Sequence, residues 1–299
     1  MKSKAAVVAG IVIAIIVIAA AAVYFLMFKH LPFVKPAKPT LKELVHASQV
    51  ARYEATYDVN VGLRLAYGRR NINLLIRGTL TAGQDTVNKT YVYGKLKLTL
   101  SPGGGISYTI QIPIQAAYLM EDGKVTTCIN MTISFFGKIQ IAKCNTTKIT
   151  SARYAKILEF KQEILKHMIT HAKYLGTETI AGQESYCYST WYIINMTRIS
   201  KMPVQSRVTI LPILKTLLTL NVTVNKICIT RDGAITYIDM VIRPVKQSSL
   251  FSMYVTGKLV AKNVKLNYFN EKLFNKLLSL PKGPLTPTPP SPPIVTQTS

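Results

Sequence analysis

The chain has 299 residues, and its 37 Lys and Arg against 13 Asp and Glu give a formal net charge of +24. So few carboxylates argue against an acidic metal site. The composition is 48% hydrophobic and only 17% charged, which excludes a chain that is disordered throughout. A folded domain with a proper core is therefore expected, and its elements can be read in chain order.

A long uncharged segment occupies the N-terminus. From Ala5 to Phe28 there are 24 residues without a charge, which as a helix would extend about 36 Å and cross a hydrocarbon layer of about 30 Å. A cleaved signal peptide has an apolar region of only about 7–15 residues. Residues 1–30 are therefore predicted to be an uncleaved signal-anchor transmembrane helix that crosses once, followed by a Pro-rich spacer, 31–39.

Lysines lie on both sides of this segment, so positive charge does not fix its orientation. Glycosylation signals favour an extracytoplasmic location for the part of the chain after this segment. The chain carries five Asn-x-Thr sequons, more than chance gives. We therefore predict a single-pass protein of the cell membrane with an extracytoplasmic, glycosylated C-terminal domain. The predicted acceptors are Asn88, Asn130, Asn145, Asn195 and Asn221, of which Asn88 and Asn145 have turn-like surroundings.

The four cysteines also favour an extracytoplasmic location for the C-terminal domain. Cys128, Cys144, Cys187 and Cys228 form an even set without a C-x-x-C pair, each in a strand-like context. This pattern favours two disulfides in an oxidising compartment over a zinc site. The alternative is four buried, reduced thiols in a cytoplasmic domain.

Beyond residue 30 the chain holds 34 basic against 13 acidic residues. This excess favours an anionic membrane or an acidic glycan surface as a partner. Nucleic acid is not expected, because the lysines are spread along strands with no run of five basic residues, and an external domain does not normally meet DNA.

The folded domain is predicted to begin with a capping box, Thr40 to Glu43, that starts a helix reaching about Val50. A 16-residue strand of alternating apolar and polar side chains follows from Arg52 to Tyr67. Alternation recurs in the next strands, which predicts an antiparallel sheet with one apolar face. The apolar positions are Ile72, Leu74, Ile76, Leu96, Leu98, Leu100, Ile106, Tyr108, Ile110, Ile112 and Ile114.

Turn and helix signals divide the rest of the domain. Pro102–Gly105 predicts a turn, and Asp122-Gly123 predicts a type I′ hairpin. From Ser151 apolar residues at helical spacing predict an amphipathic helix through Leu175, ended by Gly176, that covers the sheet.

A second group of strands is predicted at 186–195, 220–230, 234–243 and about 250–268, with a mixed apolar stretch near 208–218. Asn270 is expected to cap a last short helix. The Pro/Thr/Ser-rich tail, 284–299, is predicted to be disordered. Residues 40–283 thus form one domain.

Three stretches carry a family resemblance. Leu175–Tyr188 (LGTETIAGQESYCY), followed by Ile227–Ile235 (ICITRDGAI), resembles the central signature of the LolA-like proteins, a half-barrel family related to outer-membrane lipoprotein sorting. Val264–Gly283 resembles the end of these domains. The resemblance implies an α+β fold, in which the N-terminal transmembrane helix precedes a curved antiparallel β half-barrel packed on a central helix.

In characterised members of the family, an apolar concave face shields lipid or lipoprotein acyl chains. No Cys precedes Cys128 here, so a lipobox is lacking and the helix would replace the lipid anchor, as in an archaeal cell-surface version. We expect Cys187 to pair with Cys228, because they lie on the two strands that carry the family-like signature. Cys128 is expected to pair with Cys144 across the hairpin-like Phe135–Gly137.

The sequence shows no G-x-S-x-G, Walker, H-E-x-x-H or dinucleotide motif. Glu163, His167 and His171 follow a spacing that can hold a divalent metal. They lie, however, on the flank of the predicted helix away from Leu158 and Leu165, which favours a solvated face. We therefore expect a non-enzyme with no catalytic residue, metal site or cofactor.

Two functional hypotheses remain. One is a domain that binds or shields a membrane lipid or another apolar ligand in a groove, with tyrosine hydroxyls near its mouth. The groove residues would be Tyr57, Val61, Leu65, Leu74, Leu98, Tyr108, Ile110 and Ile112, although the same side chains could instead form a closed core under the helix. The other is a structural cell-surface protein or pilin-like filament subunit, because Lys4–Val7 resembles an archaeal prepilin site cleaved after Ala5.

Overall fold

The computed structural model describes residues 38–67, 70–102, 107–134, 138–195, 219–245 and 251–283. The predicted signal anchor, the apolar stretch 208–218, Phe135–Gly137 and the tail 284–299 lie outside the described residues, as does most of the Pro-rich spacer and of the Pro102–Gly105 turn. In the described ranges, no helix has the length and apolar character needed to span a membrane.

The described elements are three helices and eleven strands of an α+β fold that is mostly β. In chain order they are α1 (Leu41–Val50), β1 (Arg52–Tyr67), β2 (Arg70–Asp85), β3 (Lys89–Ser101), β4 (Tyr108–Glu121), β5 (Lys124–Ser134), β6 (Lys138–Lys148), α2 (Ser151–Thr170), β7 (Lys173–Ile180), β8 (Gln183–Asn195), β9 (Thr219–Thr230), β10 (Ile235–Pro244), β11 (Phe251–Leu266) and α3 (Glu271–Leu278).

All eleven strands form one antiparallel sheet, in the order β6-β5-β4-β3-β2-β1-β11-β10-β9-β8-β7. The predicted antiparallel sheet is confirmed, and β1 has the predicted bounds. Strands β6 and β7 are the two ends of this order, and α2 connects them in the chain. Because β6, α2 and β7 follow one another in the chain, α2 carries the chain from one edge of the sheet to the opposite edge.

Alternation along the strands gives the sheet two faces, which we name by two side chains of β1. The inner face carries Tyr57 and the outer face carries Glu54. Helices α1 and α2 pack with inner-face side chains of β8, β9 and β10, among them Tyr188 and Val222. Helix α3 packs on the outer face instead, over Tyr91.

The predicted capping box at the start of α1 is confirmed. The Thr40 backbone N–H donates to the Glu43 carboxylate at 2.7 Å, and the Glu43 N–H donates back to the Thr40 hydroxyl at 3.3 Å. The far end of α1 is fixed by the sheet, because the Val87 N–H in the β2–β3 turn donates to the Gln49 carbonyl at 2.9 Å.

The predicted end of α2 is wrong. The helix ends at Thr170 rather than Leu175, and the residues from Lys173 onward form β7, which pairs with β8. Gly176, expected as the helix cap, lies at a β-bulge with φ +130°, and Leu175 is exposed. The helical spacing of Leu175 is coincidental, because the residues on both sides of it pair with β8, a strand further along the chain.

The predicted type I′ hairpin is confirmed. Asp122 and Gly123 both have positive φ, 50° and 67°, as this turn requires, and Glu121 pairs directly with Lys124.

Helix α3 is fastened to the outer face by a buried polar network. The Tyr91 hydroxyl donates to the buried Glu54 carboxylate and accepts the Asn270 N–H at 3.2 Å, while Lys265 donates to Glu54 at 3.2 Å. Asn270 caps α3 as predicted, accepting the Leu273 N–H at 3.0 Å. Burial and the bond to Glu54 raise the pKa of Tyr91.

Both predicted disulfides are confirmed. Cys128–Cys144 joins the directly opposed residues of β5 and β6, and Cys187–Cys228 does the same for β8 and β9. All four cysteines are buried and lie on the outer face. The pairs β5–β6 and β8–β9 are thus cross-linked on the face of the sheet opposite α2.

We predict that replacing each cysteine pair by serine destabilises the domain unequally. The chain-entropy estimate gives a loss in free energy of unfolding of about 3 kcal/mol for Cys128/Cys144 and about 4 kcal/mol for Cys187/Cys228, whose loop is longer. Urea unfolding of the two double variants measures both losses. Equal stability of the variants and the parent would contradict the structural role of the disulfides.

Candidate ligand-binding face

All eight predicted groove residues lie on the inner face, in five successive cross-strand rows. Val61, Ile76, Leu98 and Ile110 form the central row across β1, β2, β3 and β4. The other rows hold Leu65 opposite Ile72, Leu63–Leu74–Leu100–Tyr108, Val59–Gly78–Leu96–Ile112 and Tyr57–Leu80–Gly94–Ile114. We call this surface the β1–β4 inner face.

Exposure changes across these rows. Tyr57, Leu74 and Leu98 are buried, the remaining aliphatic groove residues are half-buried, and Tyr108 at the rim is 38% exposed. The β1–β4 inner face is therefore a core at its centre and accessible towards β4.

The two inner-face helices lie on the other half of the sheet. Side chains of α1 and α2 pack with β8, β9 and β10, for example Met168 with Tyr188 and Val222. The cluster built on β1, β2, β3 and β11 contains no side chain of α1 or α2 within the described residues. The described side chains of the helix predicted to cover the sheet thus pack on one half of it.

The two halves also differ in regularity. Register shifts interrupt the pairings of β7 with β8, β8 with β9, β9 with β10 and β1 with β11. Bulges of this kind bend and twist strands. The pairings from β1 through β6 keep one register throughout, so their inner-face side chains form continuous rows.

Two glycines bring β2 and β3 close together within these rows. A Cβ at Gly78 would lie 2.2 Å from the Lys95 carbonyl oxygen, and one at Gly94 would lie 2.2 Å from that of Thr79. Such contacts exclude any side chain at either position. Glycine is therefore required at both positions.

The predicted role of Tyr57 at a groove mouth is wrong. Its hydroxyl donates to the Ile235 carbonyl at 2.7 Å and is buried, so it links β1 to the start of β10. The pKa of Tyr57 is raised well above its usual value, mainly by burial and to a smaller extent by the neighbouring Tyr53. The sequence gives no sign of this bond, because its partner is a backbone atom far along the chain.

Sequence analysis missed an extension of the apolar face across β5 and β6. Met131, Ile133 and Ile141 form a buried cluster that also contacts Ile110 and Ile112. The sequence does contain the pattern that predicts this extension. Ile129, Met131 and Ile133 alternate with polar residues, as the apolar residues of the earlier strands do.

The three residues with metal-binding spacing have other contacts. His171 lies just beyond α2, where its Nδ1 is 2.8 Å from the His167 carbonyl and its ring centroid is 4.0 Å from that of Trp191. Glu163 and His167 are exposed, as expected, whereas His171 is half-buried. A small open hollow beside α2 is lined by Phe160, Glu163, Ile164, His167, Ile193 and Asn195.

Within the described residues, one group of potential metal ligands meets in space, formed by Glu178, Cys187 and Cys228. Both sulfurs belong to a disulfide, and the Glu178 carboxylate pairs with Lys226 at 2.5 Å. These potential ligand atoms are therefore already used in a disulfide and an ion pair.

The five sequons have different surroundings. Asn88 lies in the β2–β3 turn as predicted, whereas the turn-like placement of Asn145 is wrong, because Asn145 pairs with Thr127 inside β6. It is nevertheless exposed, as is Asn195. The Asn130 amide donates to Gln115 at 3.0 Å, and Asn221 Oδ1 is buried without a hydrogen-bond partner.

No family model matches the chain, and no curated protein matches it. Among solved structures, a beta-barrel-like protein of domain of unknown function DUF1849 from Brucella abortus is similar, with 10% sequence identity and a TM-score of 0.33. The match covers 74% of this chain and 100% of that chain. The resemblance to LolA-like proteins therefore stays a prediction.

The buried tyrosines of the inner face predict a loss of stability in alkali. The raised pKa values of Tyr53 and Tyr57 mean that the folded state keeps their protons above pH of about 10, where the unfolded chain releases them. Their contribution to stability is thus complete below that pH and decreases as pH rises. Tyr57→Phe should make the decrease in unfolding free energy between pH 10 and 11 shallower by up to about 1 kcal/mol.

Denaturant midpoints measured across this pH range test the point. Tyr254→Phe removes a hydroxyl at an exposed outer-face position and is the matched control. An identical pH slope in Tyr57→Phe and the parent would contradict a protonated, buried Tyr57.

Proposed function

We propose that residues 40–283 form a membrane-anchored, extracytoplasmic domain that binds an apolar, chain-shaped ligand on the β1–β4 inner face, without catalysis. The observation that carries the proposal is the unequal covering of the inner face. Helices α1 and α2 belong to the apolar cluster of β8–β10, and none of their described side chains contributes to the cluster of β1–β3 and β11.

The chemistry of the rows favours hydrocarbon. Valine, leucine and isoleucine provide most of the side chains, and the hydroxyl of Tyr57, in the last of the five rows, is already bonded to the backbone. A surface without free polar groups recognises length and shape rather than a polar head group. Burial of apolar area contributes roughly 25 cal/mol per Å², so an acyl or isoprenoid chain along several rows would bind with useful affinity.

The graded exposure of the rows gives such a chain a point of entry. Ile110 and Ile112 on β4 are half-buried and Tyr108 is exposed at the rim. The ligand would enter at β4 and extend towards β1. Its polar end, if present, would stay near Tyr108.

The proposed location is supported by covalent chemistry and sequence. Two disulfides are typical of proteins in oxidising compartments, and Asn88, Asn145 and Asn195 are accessible in part or in full. The uncharged segment Ala5–Phe28 would supply the anchor.

Binding of a fluorescent fatty acid to residues 31–283 tests this function. We predict that Ile112→Gln on the inner face weakens probe binding about ten-fold, because an amide replaces half-buried hydrocarbon. Leu75→Gln is the matched control, since Leu75 is half-buried on the outer face of β2 between Gly62 and Thr99.

Mass spectrometry of lipid extracts from the same purified domain provides a second readout. Absence of both bound lipid and micromolar probe binding would contradict the proposal and leave a closed core in a structural surface protein. A mature N-terminus at Ala6 would then favour the pilin-like filament subunit.

A further inference from the structure

Three cations face one another on the outer face of β2 and β3. Arg77 on β2 is directly opposite Lys97 on β3, and Lys95 lies two residues before Lys97 on the same face. All three side chains are exposed, and none forms an ion pair within the described residues. Like charges directly opposite each other destabilise a sheet, so a bound anion would relieve a repulsion that is built into these strands.

Two acidic side chains lie in the same cross-strand rows as these cations, and both have partners. Asp58 forms an ion pair with Lys262 at 2.9 Å. Asp239 lies opposite Lys258 and accepts the Asn225 amide at 3.2 Å. The cluster of three cations therefore leaves net positive charge on this part of the outer face.

Uncharged hydrogen-bonding side chains surround the cations. Asn60 of β1 and Gln111 of β4 flank the opposed pair of cations in the same row. Thr79 of β2 pairs with Lys95 in the adjacent row. All of these side chains are exposed. We name the outer polar patch by its six residues, Asn60, Arg77, Thr79, Lys95, Lys97 and Gln111.

The main row of the outer polar patch crosses four strands without a break. The pairings of β1 with β2, β2 with β3 and β3 with β4 have no register shift. Neighbouring strands lie about 4.8 Å apart, so the row from Asn60 to Gln111 spans about 14 Å at even intervals. A linear molecule that lies across the strands would therefore contact each of its side chains in turn.

We propose that the outer polar patch binds an acidic polysaccharide that lies across β1–β4. Carboxylate or sulfate groups of the sugar chain pair with Arg77, Lys95 and Lys97, and its hydroxyls form hydrogen bonds with the neighbouring amides and with Thr79. This site uses the face of the sheet opposite the β1–β4 inner face. It shares with the proposed function only the extracytoplasmic location.

The chemistry of the outer polar patch favours a sugar chain over other polyanions. None of its six side chains is apolar or aromatic, whereas proteins that dock on a bilayer place tryptophan and tyrosine at the interface. Single-stranded nucleic acid likewise binds by stacking its bases on aromatic rings. Amides and hydroxyls beside cations match a ligand that carries hydroxyls beside its charges.

Fluorescence anisotropy of labelled polygalacturonate, with the full chain in neutral detergent, tests the proposal. Arg77→Gln with Lys97→Gln should weaken binding about ten-fold, since each exposed ion pair contributes roughly two- to five-fold. High salt should weaken binding to the parent. The double variant should unfold in urea no earlier than the parent, because the substitutions remove a repulsion.

Lys124→Gln with Lys148→Gln is the matched control. These two lysines are also exposed and directly opposed, on β5 and β6. Lys124 pairs with Glu121, which lies ten residues along β4 from Gln111, or roughly 34 Å. The control removes the same charge from another cross-strand pair and should bind polygalacturonate like the parent.

A second probe distinguishes a sugar from a polyanion without hydroxyls. Asn60→Ala with Gln111→Ala should weaken binding of polygalacturonate about five-fold, because two hydrogen bonds are lost. The same variant should bind polyacrylate, which carries carboxylates but no hydroxyls, as tightly as the parent does.

Equal loss in the Arg77/Lys97 variant and in its control would overturn the proposal, as would equal loss of both probes in the Asn60/Gln111 variant. If the parent bound phosphatidylglycerol vesicles or an oligonucleotide more tightly than polygalacturonate, the proposal would be overturned in favour of lipid or nucleic acid. Fatty-acid binding at the inner face is measured without polysaccharide, so the two proposals can fail independently.

Discussion

Burial of one apolar face of a single sheet is the requirement on which the rest of this structure depends. In a sandwich a second sheet would cover such a face, but here all eleven strands belong to one sheet. The cover must then come from helices, and α2, at 20 residues, extends only about 30 Å. Because α2 connects the two ends of the strand order and packs over β8–β10, its described side chains are absent from the apolar cluster of the other half of the inner face.

The outer face holds the sheet in shape while the inner face stays available. Both disulfides, helix α3 and the Glu54–Tyr91–Lys265 network lie on the outer side. These contacts fasten β5 to β6, β8 to β9 and the C-terminal helix to the sheet without using the inner rows. These described contacts therefore hold the sheet together independently of what packs on the β1–β4 inner face.

Local signals in the sequence predicted most of this architecture. Strand β1, the capping box at Thr40, the Asp122-Gly123 turn and the cap at Asn270 depend on residues within a few positions of each other. Alternation also placed all eight groove residues on one face, because it depends only on the two-residue period of a strand.

The remaining features depend on contacts between distant parts of the chain. Leu175 is in a strand because the strand that contains it, β7, pairs with β8, and the Tyr57 hydroxyl is bonded to residue 235. Nor could the sequence tell that α3 packs on the outer face, since an amphipathic pattern shows that a helix packs but not against which surface. Which groove residues are buried likewise follows from strand order.

The central claim is that the β1–β4 inner face receives an apolar chain. Photo-crosslinking of residues 31–283 with a diazirine-bearing fatty acid, followed by peptide mass spectrometry, tests it most directly. The account predicts labelled residues on alternate positions of β1 and β4, among them Val61, Leu65, Ile110 and Ile112. Labels confined to α2 or to the outer face, or no label that an excess of unmodified fatty acid displaces, would contradict it.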